Sequence, residues 1–141
     1  MSDRFFLDTN IFVTSFDRSA PAKARKAKAL IREALASHKG VVSYQVVQEF
    51  FNVALRRFAR PMQGHEAEQY LATVFRPLLA VHSSAGLYAE ALRLQGHGGL
   101  AWYDALIVAG AAQAECRVLV SEDLQDGRRF GGVRVENPFR E

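Results

Sequence analysis

The sequence predicts an α/β fold, a three-layer α/β/α sandwich built on a central, mostly parallel, five-stranded sheet. Two observations predict it. Short apolar runs alternate with longer helical patterns along the chain, which is the βαβ rhythm of a parallel sheet covered by helices. The runs are apolar at nearly every position rather than at every second one, as strands buried on both faces require. At 141 residues with 49% hydrophobic content, the chain is expected to form a single domain, 1–141, around a real core.

The first strand is read from "RFFL", and it delivers Asp8 at its carboxyl end. A helix then opens at Pro21, whose missing N–H suits a first helical position. It carries Lys23, Arg25, Lys26, Lys28 and Arg32, with Ala and Leu turned inward. "GVVS" is the second strand. "SYQVVQEFFNVALRRF" follows as a helix with Ser43 as its N-cap and Val47, Phe50, Phe51, Ala54 and Phe58 as its buried stripe. "LLAVH" is the third strand and leads into another helix. "LAWYDALIVAGAA" is apolar nearly all round, the pattern of a helix packed inside a protein. "RVLVS" and "VRVEN" complete the five strands. The linker-like stretches "RPMQG" and "GHGG" do not divide the chain.

Composition narrows the function. No apolar run approaches the ~18 residues of a membrane span, and no basic region followed by a signal-type stretch opens the chain. A soluble, cytoplasmic protein is expected. Cys116 is the only cysteine, so a disulfide framework and a cysteine metal knuckle are both excluded; it reads as a core residue. His38, His65, His82 and His97 are isolated from one another, which argues against zinc. The net charge is +3 and the pI about 9.3. Its basic clusters, the helix with Lys23 and Lys26 and a second group at Arg56, Arg57 and Arg60, could hold phosphates.

Four carboxylates stand out against this background. Asp8 ends an apolar strand, and Asp123 falls just beyond the strand from Arg117 to Val120. In a parallel sheet, ligands bind beyond the carboxyl ends of the strands, where strand order reverses. Glu49 lies at the margin of a buried stripe and has Gln45, Val46, Asn52 and Val53 at helical spacing, where a surface glutamate would find a cation. Asp104 sits in the first turn of an otherwise apolar helix, where a cap or a helix dipole would also explain it. All four are expected at one edge, where they would repel unless a cation sat among them. Hard oxygen ligands suit Mg²⁺ or Mn²⁺, one ion or two.

"FLDTNIF", "SYQVVQEFFN", "WYDALIVAGA" and "LVSEDLQDG" resemble, in order and spacing, the PIN-domain ribonucleases, and most closely the VapC-type toxins of bacterial toxin–antitoxin modules. The resemblance runs from the first strand to Gly127. It implies a PIN-like fold and places the metal-binding, catalytic acids on Asp8, Glu49, Asp104 and Asp123. Asn10 and Ser121 match small polar residues beside the site, and Asp126 follows in the same loop as a lesser candidate. Ala101 departs from the pattern, since relatives often carry Ser or Thr three residues before the helical aspartate.

The chemistry implied is hydrolysis of RNA phosphodiester bonds by water activated on Mg²⁺ or Mn²⁺. Lys23, Lys26, Arg56 and Arg57 are expected to draw in the RNA backbone. A cognate antitoxin and a homodimeric state are further implications of the resemblance. Three rivals are weighed. A housekeeping RNA-processing nuclease would share the chemistry. A haloacid-dehalogenase-type phosphohydrolase would need a second aspartate where Asn10 stands, and a metal-free RNA-binding or scaffold module would not need four intact acids.

Overall fold

The computed structural model describes residues 3–140. Six strands form the sheet: β1 (Phe5–Leu7), β2 (Gly40–Ser43), β3 (Leu79–Val81), β4 (Val118–Val120), β5 (Arg129–Phe130) and β6 (Val133–Glu136). Their order is β3-β2-β1-β4-β6-β5, and every pairing is parallel except that of β5 with β6. The sheet therefore has six strands where the sequence predicts five. The added strand is two residues long, and the Gly131–Gly132 turn folds it back on β6 with Phe130 opposite Val133. So short a segment carries no periodicity of its own.

The helices are α1 (Thr9–Thr14), α2 (Pro21–Ser37), α3 (Tyr44–Ala54), α4 (Gly64–Tyr70), α5 (Arg76–Leu78), α6 (Ala85–Gly98) and α7 (Trp102–Gln113), with a π-helical turn, Leu71–Phe75, joining α4 to α5. Contacts group α1 with α2 and α3, and α2 with α5; α6 packs along α7, which crosses β2, β4 and β6. This is the three-layer arrangement expected. Helix α3 stops at Ala54, earlier than the predicted stripe, because Leu55, Arg56 and Arg57 are exposed and give the next turn nothing to bury. Phe58 still packs inward from the segment that follows. Ser43 occupies the N-cap position, yet its hydroxyl makes no capping bond and is buried without a partner.

Both layers close tightly on the sheet. A Cβ on Gly40 would fall 2.1 Å from the Cβ and 2.7 Å from the Cα of Ala34, so α2 can lie against β2 only over a glycine. Under α1 and α3, Phe12, Phe50, Phe75 and Tyr70 form an aromatic core, with the Phe50 and Tyr70 rings stacked at 5.0 Å between centroids. That core sets the position of α3 and hence of Glu49.

The chain leaves β1 for β2 and β3 on one side, then returns to β4 on the other. Strand order thus reverses at β1, and the crevice beyond the carboxyl ends of β1 and β4 is the place where such sheets bind ligands. Asp8 and Ser121 directly follow these two strands.

Candidate active site

Asp8 prolongs β1 by one residue, its N–H donating to Val120 O at 3.0 Å, and then begins α1. Its Oδ1 accepts from the Thr9 N–H at 2.7 Å, an N-cap bond. Its Oδ2 accepts from the Ser121 hydroxyl at 2.7 Å. Capping therefore explains one oxygen of Asp8, and Ser121 holds the other. The side chain is only 6% exposed. Burial first, then the like charges of Asp123 and Glu49, raise its pKa to about 7, against the pull of the Ser121 and Thr9 hydrogen bonds.

Asp104 lies in the first turn of α7, and Ala101 at the N-cap position provides no side-chain bond. A carboxylate used only to complement the helix N-terminus would titrate lower than usual. Asp104 titrates higher, because of burial and the nearby charges of Asp123 and Glu49. Asp123 and Glu49 thus lie within electrostatic reach of both Asp8 and Asp104.

A chain of hydrogen bonds ties their elements together. The Asp123 N–H donates to Ser121 Oγ at 3.2 Å, and Ser121 Oγ donates to Asp8. Thr9 bonds Asp8 through its backbone and Glu49 Oε1 through its hydroxyl, at 2.6 Å. Gln45 Nε2 donates to Glu49 Oε2 at 3.2 Å and to the Tyr103 carbonyl, beside Asp104, at 3.1 Å. Sequence reasoning missed the roles of Thr9 and Gln45. Gln45, buried on the polar margin of α3 and four residues before Glu49, was the available signal.

Other expected residues take different places. Asn10 accepts from the Glu122 N–H at 3.4 Å and so steadies the loop after β4, while its amide Nδ2 is buried without a partner. Asp126 is oriented otherwise than expected. Its oxygens accept from the Asn137 N–H at 2.8 Å and from Arg140 at 2.9 Å, which lowers its pKa, so it braces the C-terminal segment. Lys23 is ion-paired with Glu122 and lies over the Phe139 ring, and Lys26 donates to the Pro138 carbonyl. Both are drawn into protein contacts that the sequence could not show. Arg56 and Arg57 are exposed just past α3. At the other end of the strands, Arg117, Arg129 and Arg134 line a cavity of about 370 Å³ with Asp3, a basic grouping scattered in the sequence.

An all-oxygen, multiply charged donor set would suit a hard divalent cation. The burial and like charge that raise the pKa of Asp8 are effects a neighbouring cation would offset. Among the described residues, no three potential ligands are drawn close enough to hold an ion as they stand.

The PIN domain model matches residues 5–129. No curated protein matches the chain in sequence. Among solved structures, the chain is similar to one from a toxin–antitoxin complex of Klebsiella pneumoniae, at 20% identity and a TM-score of 0.67 over 96% of this chain and 98% of that one. FitAB bound to an IR36 DNA fragment includes a chain similar at 18% identity and a TM-score of 0.72, over 97% of this chain and 96% of that one. VapC20 of Mycobacterium tuberculosis, described as a sarcin–ricin loop cleaving toxin, matches at 20% identity and a TM-score of 0.60, over 84% and 89% of the two chains. At such identities these likenesses concern the fold. With the family model spanning all four carboxylates, the chain belongs to the PIN domain family.

Proposed function

We propose that this protein is a metal-dependent endoribonuclease, the toxin of a toxin–antitoxin pair. The observation that supports the nuclease reading is that Asp8, at the strand-order switch point, and Asp104 both have raised pKa values, from burial and from the same two neighbouring charges, Asp123 and Glu49. Membership of the PIN family supports hydrolysis of phosphodiester bonds in RNA. The toxin reading rests on the structural neighbours, which include a toxin–antitoxin complex and an RNA-cleaving toxin. A cognate antitoxin, a homodimer and a cytoplasmic location belong to the same reading. Among the described residues, no helix is long and apolar enough to cross a membrane.

In this mechanism Asp8, Glu49, Asp104 and Asp123 would hold Mg²⁺ or Mn²⁺. Bound there, such an ion would supply an activated water and stabilise charge on the leaving oxygen. Ser121 and Thr9 orient the two oxygens of Asp8, and Thr9 and Gln45 orient those of Glu49. Asp8 must give up its proton to act as a ligand, and the Ser121 hydrogen bond favours that ionised form. Arg56 and Arg57 attract the phosphates flanking the cleaved bond.

Expression of the chain alone, followed by sequencing of the RNA ends it produces, tests the proposal. A toxin arrests growth and leaves new RNA ends, and a small partner protein encoded beside it reverses both. New ends without arrest would identify a housekeeping nuclease instead.

A further inference from the structure

Beside the carboxylates lies a ledge of aromatic rings that the metal chemistry does not use. Tyr103 sits between Trp102 and Asp104 at the start of α7 and is 65% exposed, more than any other exposed large hydrophobic side chain described. Tyr88 of α6 is 40% exposed, and its ring lies nearly parallel to that of Trp102, with 6.4 Å between centroids. Tyr44, the first residue of α3, lies near enough to Tyr88 and Tyr103 for their hydroxyls to act on its own. Burial and these neighbours push the Tyr44 hydroxyl up to about 12.

Single exposed aromatics are ordinary on a protein surface. Here rings from three helices gather at one place. The place is also mechanically joined to the acids, because Gln45 Nε2 bonds both the Tyr103 carbonyl and Glu49. An acidic crevice repels the phosphates of an incoming strand, whereas a neutral ring attracts the face of any unpaired base.

We propose that the exposed Tyr103, next to the stacked Tyr88–Trp102 pair, is a stacking subsite for an unpaired nucleobase beside the phosphodiester that the carboxylates address. This rests on the ribonuclease reading. The subsite requires a base splayed out of a helix, so it selects single-stranded or looped RNA. It gives little preference among bases, since all have π-faces.

The test compares the parent, Tyr103→Ala and Tyr103→Phe on a short single-stranded RNA with Mg²⁺, and on the same RNA with one abasic position at a time. Loss of one stack should raise KM about tenfold in Tyr103→Ala, with kcat changing far less, while Tyr103→Phe stays near the parent. One abasic position should cost the parent a similar factor and cost Tyr103→Ala nothing further. An unchanged KM in Tyr103→Ala, or an abasic penalty equal in both proteins, would overturn the proposal. A fall in oligomer mass on light scattering with KM unaltered would also overturn it, identifying the ledge as a self-association face. If the parent cleaves no RNA, the failure is that of the ribonuclease reading. Quenching of Trp102 fluorescence by the same RNA in EDTA then tests the ledge alone. It should occur in the parent and weaken about tenfold in affinity in Tyr103→Ala, and its absence from the parent would refute the subsite.

Discussion

Thr9 and Glu49 are 40 residues apart in sequence and are joined by a 2.6 Å hydrogen bond from the Thr9 hydroxyl to Glu49 Oε1. Because the Thr9 N–H also bonds Asp8 Oδ1, one residue orients two carboxylates on different elements. Groups that aim ligands are worth about 10- to 100-fold in metal affinity or activity. Thr9→Val, which keeps the shape and removes the hydroxyl, should reduce RNA cleavage by that factor at limiting Mg²⁺ and by less at saturation. Thr9→Ser should stay close to the parent. Mg²⁺ titrations of the cleavage rate measure this, and identical titration curves for Thr9→Val and the parent would separate the hydroxyl from the site.

The raised pKa of Asp8 has a consequence for stability. Its folded value of about 7 lies above the ordinary 3.8, so the folded chain keeps a proton that the unfolded chain has released. The metal-free fold therefore loses stability as pH rises from about 4 to about 7, by up to about 4 kcal/mol. Thermal melts in EDTA should show the parent weakening between about pH 5 and pH 8, and Asp8→Asn holding level. Asn retains an acceptor for the Thr9 cap bond while deleting the buried charge. Mg²⁺ should restore the parent at the alkaline end and affect the variant little. Parallel pH profiles for the two proteins would show that Asp8 carries no such penalty.

Ser121 acts in the opposite direction, since its hydrogen bond lowers the pKa of Asp8. Ser121→Ala should leave Asp8 harder to ionise. The pH at which Mg²⁺ binding reaches its midpoint should therefore move upward, because the ion competes with the Asp8 proton. Calorimetric titration with Mg²⁺ across pH reads this directly. An unshifted midpoint would remove Ser121 from the control of Asp8.

Gly40 is a packing requirement distant from the chemistry. The Cβ of Gly40→Ala would overlap Ala34, including its backbone Cα, so α2 or β2 must move. Overpacking of this kind costs about 1–3 kcal/mol. Denaturant melts should show that loss, and Ala34→Gly in the same chain should recover part of it. No loss in Gly40→Ala would mean that the α2–β2 contact yields freely.

The sequence carried much of this architecture because its strongest signals are local. Apolar runs such as "GVVS" and "RVLVS" need no tertiary context to read as buried strands. Asp8 and Asp104 stood out because they are charges in apolar surroundings. What escaped was created by chain crossings. The two-residue β5 exists only through its pairing with β6. Lys23 and Asp126 look available for RNA or metal until Glu122 and Arg140 are brought against them. Thr9, Gln45 and the rings of Tyr44, Tyr88 and Tyr103 acquire meaning only where α1, α3, α6 and α7 converge.

The most direct measurement of the central claim, that Asp8, Glu49, Asp104 and Asp123 form one metal-dependent cleavage site, is RNA cleavage by the parent and by Asp8→Asn, Glu49→Gln, Asp104→Asn and Asp123→Asn, in Mg²⁺ and in EDTA. The parent should cleave in Mg²⁺, stop in EDTA and recover when the ion is returned. Each variant should lose about 100-fold or more while remaining folded. Cleavage by the parent that persists through thorough chelation, or near-parental rates in Asp104→Asn and Glu49→Gln, would contradict the account.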